Sequence, residues 1–76
     1  MVHAFIMVKT VTGKSEGLLA DIRELGSVSE AHIVAGDYDI VAEVDASEVY
    51  GVLDVASSGI QGQGGVTDTR TYITMD

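Results

Sequence analysis

The sequence predicts an α+β domain of β-α-β-β-α-β order, with a four-stranded antiparallel sheet and two helices on one of its faces. Three observations point there. Two runs rich in β-branched residues, His32-Ile33-Val34-Ala35 and Ile40-Val41-Ala42-Glu43-Val44, flank the polar stretch Gly36-Asp37-Tyr38-Asp39 as strands flank a hairpin turn. On each side of that hairpin lies a segment whose apolar residues recur every three or four positions, the period of an amphipathic helix. The chain opens and closes on strand-like runs, so two similar strand-helix-strand halves meet at Gly36-Asp37.

The elements follow in order. Val2 to Thr10 alternates Val2, Ala4, Ile6 and Val8 on one face with Phe5 and Met7 on the other, the pattern of a strand buried on both sides. After the Thr12-Gly13 turn, Ser15 is placed to cap a helix with Leu18, Leu19, Ile22 and Leu25 inward, and Gly26 to end it as a C′ residue. Val28 to Ala35 and Tyr38 to Asp45 make the hairpin. Ser47 is a second N-cap candidate, ahead of a helix with Val49, Val52, Leu53 and Ala56 inward; Gly59, Gly62, Gly64 and Gly65 stop it, and Val66 to Met75 is the last strand. This is the split βαβ, ferredoxin-like arrangement, with strand order 4-1-3-2. Its two central strands, the first and third, are the most hydrophobic here. Both helices cover one face, so Phe5, Met7 and Val41 on the other need a cover, and a second copy of the same sheet is the simplest one.

Composition narrows the function classes. A chain of 76 residues reads as one domain spanning residues 1–76. Domains of this size bury only about 60% of their unfolded surface, which leaves a single core marginal. No cysteine is present to staple it, which makes self-association the expected route to stability, and 46% hydrophobic residues with a mean hydropathy of +0.27 supply apolar surface for it. Twelve Asp and Glu against four Lys and Arg give a formal net charge of −8. Lys9, Lys14, Arg23 and Arg70 form no cluster, so direct nucleic-acid binding is not expected. The acidic excess fits a haloarchaeal protein in a high-salt cytoplasm, where salt screens self-repulsion, or else an ordinary acidic bacterial protein. No signal peptide opens the chain, and no apolar run approaches the roughly 20 residues that span a bilayer. A soluble, cytoplasmic protein without membrane contact is expected.

Motifs for common chemistry are missing or in the wrong context. Gly13-Lys14-Ser15 imitates the end of a phosphate-binding loop, but Val8 stands where the loop needs its first glycine. Gly62-Gln63-Gly64-Gly65 precedes a strand, whereas a dinucleotide-binding glycine motif opens a helix. His3 and His32 lie on different strands without metal-ligand spacing, and no serine or threonine has a histidine and an acid at nucleophile spacing. No cofactor, metal or catalytic residue is therefore assigned. Asp37 and Asp39 would share one face at strand spacing, either as a turn residue and a solvated strand end or as part of a polar ligand pocket.

Three stretches together resemble a known family: Val2-His3-Ala4-Phe5-Ile6-Met7-Val8-Lys9-Thr10, the turn Gly36-Asp37-Tyr38-Asp39, and Val66-Thr67-Asp68-Thr69-Arg70-Thr71-Tyr72. They look like the effector-binding (RAM) domain of Lrp/AsnC transcriptional regulators, over essentially the whole chain. Full-length members carry an amino-terminal helix-turn-helix that reads DNA, and this sequence begins at the first strand of the effector domain. The resemblance implies dimers formed through the sheets, further assembly into octamers, and a free amino acid bound between dimers. It implies a pocket lined by Gly36, Tyr38, Asp39, Thr69 and Thr71. Backbone amides and threonine hydroxyls would receive the carboxylate, and Asp39 the ammonium. The expected function is thus a non-enzymatic amino-acid-sensing and oligomerisation module, acting with full-length Lrp/AsnC homologues or reporting to another protein. Two other classes stay open: a dimeric α/β-barrel enzyme using His3 or Glu43 on a small substrate, and a purely structural oligomerisation domain.

Overall fold

A computed structural model describes all residues, Met1 to Asp76. The order is β1 (Val2–Thr10), α1 (Ser15–Arg23), β2 (Val28–Ile33), β3 (Ile40–Ala46), α2 (Val49–Asp54) running into a π-helical segment (Val55–Ile60), and β4 (Val66–Ile73). The strands form one antiparallel sheet ordered β2-β3-β1-β4, the expected 4-1-3-2 arrangement read from the other edge. Alternation decides which side chains go inward. Ala4, Ile6 and Val8 of β1, Ala31 of β2, and Ile40, Ala42 and Val44 of β3 meet Leu18 and Ile22 of α1 and Val52, Ala56 and Ile60 of the second helix in the buried core. Ile6, Ile22, Ile40 and Ile60 are completely buried, each contributing about 1.5–3 kcal/mol of burial free energy.

Local details depart from the expected ones. Ser15 is the first helical residue of α1 and does not cap it, and the capping position, Lys14, makes no side-chain cap bond. The Ser15 hydroxyl is drawn instead to the Thr10 hydroxyl, 2.8 Å away. Gly26 is not a left-handed C′ residue: only Gly13 and Gly65 have positive φ. The helix closes through Glu24 N–H, which donates to the Asp21 carbonyl at 3.2 Å, and Leu25 N–H, which donates to the Ile22 carbonyl at 3.1 Å. Ser47 does not cap α2 either, since that helix starts at Val49 after an extended Glu48. Of the residues expected inward, Val52 and Ala56 are buried while Val49 and Leu53 turn to solvent, because the buried stripe runs through Val52, Ala56 and Ile60.

Gly59 does not stop the second helix, which runs to Ile60. Val52, Ala56 and Ile60 are spaced four apart, and in an α-helix of about 3.6 residues per turn that stripe drifts off one face. The wider π turn, with Gln61 N–H reaching the Ala56 carbonyl at 3.0 Å, keeps all three inward. Glycine at 59 makes room for α1's flank, because a Cβ there would lie 3.2 Å from Leu25 Cδ1.

The hairpin is broader than a two-residue turn. β2 ends at Ile33 and β3 begins at Ile40, with Val34 N–H donating to the Asp39 carbonyl at 2.9 Å across the connection. Gly36 keeps a negative φ, so no primed turn forms there. Asp39 N–H is engaged by the Val8 carbonyl at 2.9 Å, which holds this end of the connection against β1.

The face opposite the helices carries His3, Phe5 and Met7 from β1, Val41, Glu43 and Asp45 from β3, and Arg70 and Tyr72 from β4. Phe5 lies between Glu43 and Tyr72, and Met7 between Val41 and Arg70. Within one chain Phe5, Met7 and Val41 are only half-buried, while Tyr72 is exposed.

Candidate functional site

The connection at residues 34–39 is pinned to the end of β1 by side chains that sequence order alone does not pair. Lys9 Nζ donates to the Asp37 carbonyl at 2.7 Å and stands 5.7 Å above the Tyr38 ring, a cation–π distance. Asp39 Oδ2 accepts hydrogen bonds from Thr10 N–H at 2.8 Å and Thr10 Oγ1–H at 3.2 Å. With its hydroxyl hydrogen on Asp39, Thr10 accepts from Ser15, so Ser15, Thr10 and Asp39 form a relay from the first turn of α1 to the hairpin. A register shift between Lys9 and Thr10 interrupts the ladder at this point.

The two threonines arrive from the opposite edge. Thr69 lies across from Val8 and Thr71 across from Ile6, so both sit on the helix side of β4, whereas Arg70 and Tyr72 belong to the open face. Thr69 Oγ1 accepts from Gln61 Nε2 at 2.6 Å, and its N–H donates to Asp68 Oδ1 at 2.9 Å. Asp39 and Thr69 flank Val8 from its two sides, two strand spacings or about 10 Å apart. Tyr38 is near Arg70, whose guanidinium is raised above its ordinary value by Tyr72 first and then by Tyr38. Gly36 has open space where a Cβ would stand. All of these residues except Thr71 gather around the Val8 to Thr10 end of the sheet, on both of its faces, and they do not close a cavity within one chain. The chain's one cavity, about 320 Å³, lies instead at the β2 edge among Arg23, Val28, Ser29, Glu30, Ala31 and His32.

A second cluster, which the sequence spacing does not reveal, occupies the other end of the open face. His3 Nδ1 is 2.7 Å from Asp45 Oδ1 and His3 Nε2 is 3.1 Å from Glu43 Oε1, with the imidazole edge-on to Phe5 at 5.1 Å and 88°. Both ring nitrogens face carboxylates, so His3 holds its second proton more firmly than a free histidine, mainly through Asp45 and then Glu43. Neither nitrogen is free to serve a substrate as a base. The only signal for the cluster is the β1–β3 register, which sets His3 opposite Asp45 and Phe5 opposite Glu43. No group of three or more His, Cys, Asp and Glu residues is arranged to hold a metal ion.

Comparison with known families gives a match to the Lrp/AsnC ligand binding domain over residues 3–76. The chain belongs to that family. The Lrp/AsnC fold is equally clear among solved structures. TTHA0845 from Thermus thermophilus superposes with a TM-score of 0.96 at 33% identity, covering 100% of this chain and 95% of that one. AsnC of E. coli superposes at 0.91 with 25% identity over 99% of this chain; the chain spans about half of AsnC, 51%. A transcriptional regulator of Neisseria meningitidis, NMB0573, solved as a complex with L-Met, shares the fold at 0.87 and 18% identity, covering 99% of this chain and 50% of that one. No curated protein sequence matches. This Lrp/AsnC domain is thus related to transcription regulators, and its family is one of regulatory ligand-binding domains rather than enzymes. None of its helices is long and apolar enough to cross a membrane.

Proposed function

We propose that this chain is a small-molecule sensing and oligomerisation module whose effector is a free amino acid. The observation that carries the reading is the incomplete site at the Val8 to Thr10 end. Tyr38 and Asp39 reach it from one side and Thr69 from the other, with Thr71 one step further along β4, yet no pocket closes at this end within a single chain of a ligand-binding family. A site shared between subunits has this form when seen from one of them. Gly36, with open space around it, leaves room for a neighbouring subunit. Asp39 has one carboxylate oxygen engaged by Thr10 and the other available for an ammonium group. The neisserial regulator's complex with L-Met is in keeping with an amino-acid effector.

The half-buried apolar strip of Phe5, Met7 and Val41 supports pairing of two chains through their open sheet faces, with octamers built from such dimers. The module would work in the cytoplasm through full-length Lrp/AsnC homologues or another protein, without touching DNA itself. Of the acids, only Glu30, Glu43 and Asp45 pair with a basic side chain, a histidine in each case. The rest of the acidic surface is left to solvent and salt, which suits a halophilic cytoplasm. Calorimetry against each of the twenty amino acids, with sedimentation in parallel, tests the reading. Heat and a change of assembly with one of them are expected. No heat and no thermal shift at millimolar concentrations would remove the sensor and leave a structural module.

A further inference from the structure

The His3, Glu43 and Asp45 cluster plays no part in the proposed effector site, and its chemistry is distinctive. One imidazole is clamped between two carboxylates on the open sheet face, 2.7 Å from Asp45 and 3.1 Å from Glu43, with each of the three side chains about one-third exposed. With His3 protonated the cluster carries one net negative charge, and without that proton it carries two. While the face is open to water, the difference is small because solvent screens it. Covering the face removes that solvent, and a two-fold negative cluster beside Phe5 then becomes costly.

We propose that His3 is a proton-operated latch on self-association: two copies pair through their open sheet faces when the His3 clamp is protonated and separate when it is not. The inference rests on the sheet-to-sheet pairing described under Proposed function and adds its regulation. The charged groups facing the cluster are few. Across β3 on β2 stands Glu30, opposite Glu43 and itself bonded to His32 at 3.2 Å. Further along the same face lie Lys9 of β1 and Asp68 and Arg70 of β4, with Tyr72 beside Phe5, and the chain's amino terminus is two residues from His3. None of these pairs with His3, whose ionic partners are Asp45 and Glu43 alone. The helices pack on the other face and place no charge against it.

The sign follows from linkage. Asp45 and Glu43 already raise the affinity of His3 for its proton in the single chain, and pairing raises it further by excluding water. Association is therefore strongest below the single-chain value and is lost as pH rises through the value in the pair. Each proton released weakens pairing by up to about tenfold per pH unit.

Sedimentation equilibrium of the full chain at constant ionic strength, between about pH 6 and about pH 9, tests the latch, with an expected rise of about tenfold or more in the dimer dissociation constant. In His3→Gln, which keeps a polar contact without a titrating group, the dependence should vanish, and in His32→Gln it should persist. NMR titration of the His3 ring in dilute and concentrated wild-type samples supplies a readout that needs no variant, with a higher His3 pKa expected in the concentrated, paired protein. A dimer whose dissociation constant is flat with pH overturns the latch and leaves the pairing standing. A pH dependence that survives in His3→Gln, or an identical His3 pKa at both concentrations, also overturns it. A protein that is monomeric at every pH overturns the pairing itself and the latch with it.

Discussion

Thr10 and Asp39 are joined by two hydrogen bonds to a single carboxylate oxygen, 2.8 Å from the Thr10 amide and 3.2 Å from its hydroxyl. They are 29 residues apart in sequence, and their contact fastens the hairpin to the end of β1 just where the ladder shifts register. Asp39→Ala leaves the part-buried Thr10 amide without its acceptor and should cost about 1–3 kcal/mol in urea denaturation. Asp39→Asn keeps an acceptor oxygen and should cost clearly less. The same pair of variants separates scaffold from recognition: if Asp39 also receives an ammonium, Asn preserves the fold but loses amino-acid affinity in calorimetry. Equal affinity in wild type and Asp39→Asn would confine Asp39 to holding the turn.

Phe5 stands on the open face between Glu43 and Tyr72, away from the helix-side core. Phe5→Asp sets a carboxylate directly opposite Glu43, a like-charge cross-strand pair, and in a paired state it would be an unpartnered buried charge. Circular dichroism should show the fold retained while sedimentation shows single chains. A variant that pairs as tightly as wild type would rule out this face as the interface.

Gly65 and Gly26 should respond in opposite directions to alanine. Gly65 has φ +100°, and a Cβ there would lie 3.2 Å from Leu18 Cδ1 and 3.4 Å from the Lys14 side chain, so Gly65→Ala should destabilise by about 1–2 kcal/mol. Gly26 has a negative φ and no atom within 4 Å of a built Cβ, so Gly26→Ala should be neutral or stabilising by up to about 1 kcal/mol. Thermal melts of the two variants check both directions at once. Equal destabilisation would mean that Gly26 requires backbone freedom the turn does not display.

A net charge of −8 on 76 residues, with no carboxylate paired to a lysine or arginine, implies self-repulsion that added salt relieves. The melting temperature should rise from dilute buffer to molar potassium chloride. It should rise less in a variant with three solvent-facing acids neutralised, Glu16→Gln, Asp21→Asn and Glu24→Gln. The same increment in both would assign the effect to general salting-out rather than to charge.

The element order, the inward faces of β1 and α1 and the half-buried strip of Phe5, Met7 and Val41 were legible in the sequence, because each depends on a local period. The stripe of the second helix was legible only at Val52 and Ala56, since Val49 and Leu53 turn outward. Two-residue alternation selects Ala4, Ile6 and Val8 as the inner set, and the three- and four-residue spacing of Leu18 and Ile22 selects theirs. The caps were less legible. Ser15 has the chemistry of an N-cap, but the helix begins at Ser15 itself, and its hydroxyl meets the Thr10 hydroxyl, which the distant Asp39 holds in place. Gly59 looked like a helix stop because composition does not show the Leu25 side chain that lies against it.

The sequence by itself determined the βαββαβ order, the strand arrangement and the family, since periodicity, turn residues and three short motifs are properties of neighbours along the chain. Tertiary structure decided what depends on register between distant strands. That Thr71 takes the helix side and Tyr72 the open side follows from their antiparallel pairing with Ile6 and Phe5. The meeting of His3 with Asp45 and Glu43, 42 and 40 residues away in sequence, requires β1 and β3 to align residue for residue. A slip of one residue would turn either set to the other face, so no reading of local pattern can place them. Burial on the helix side fixes that register, and the charged cluster on the open side is its consequence.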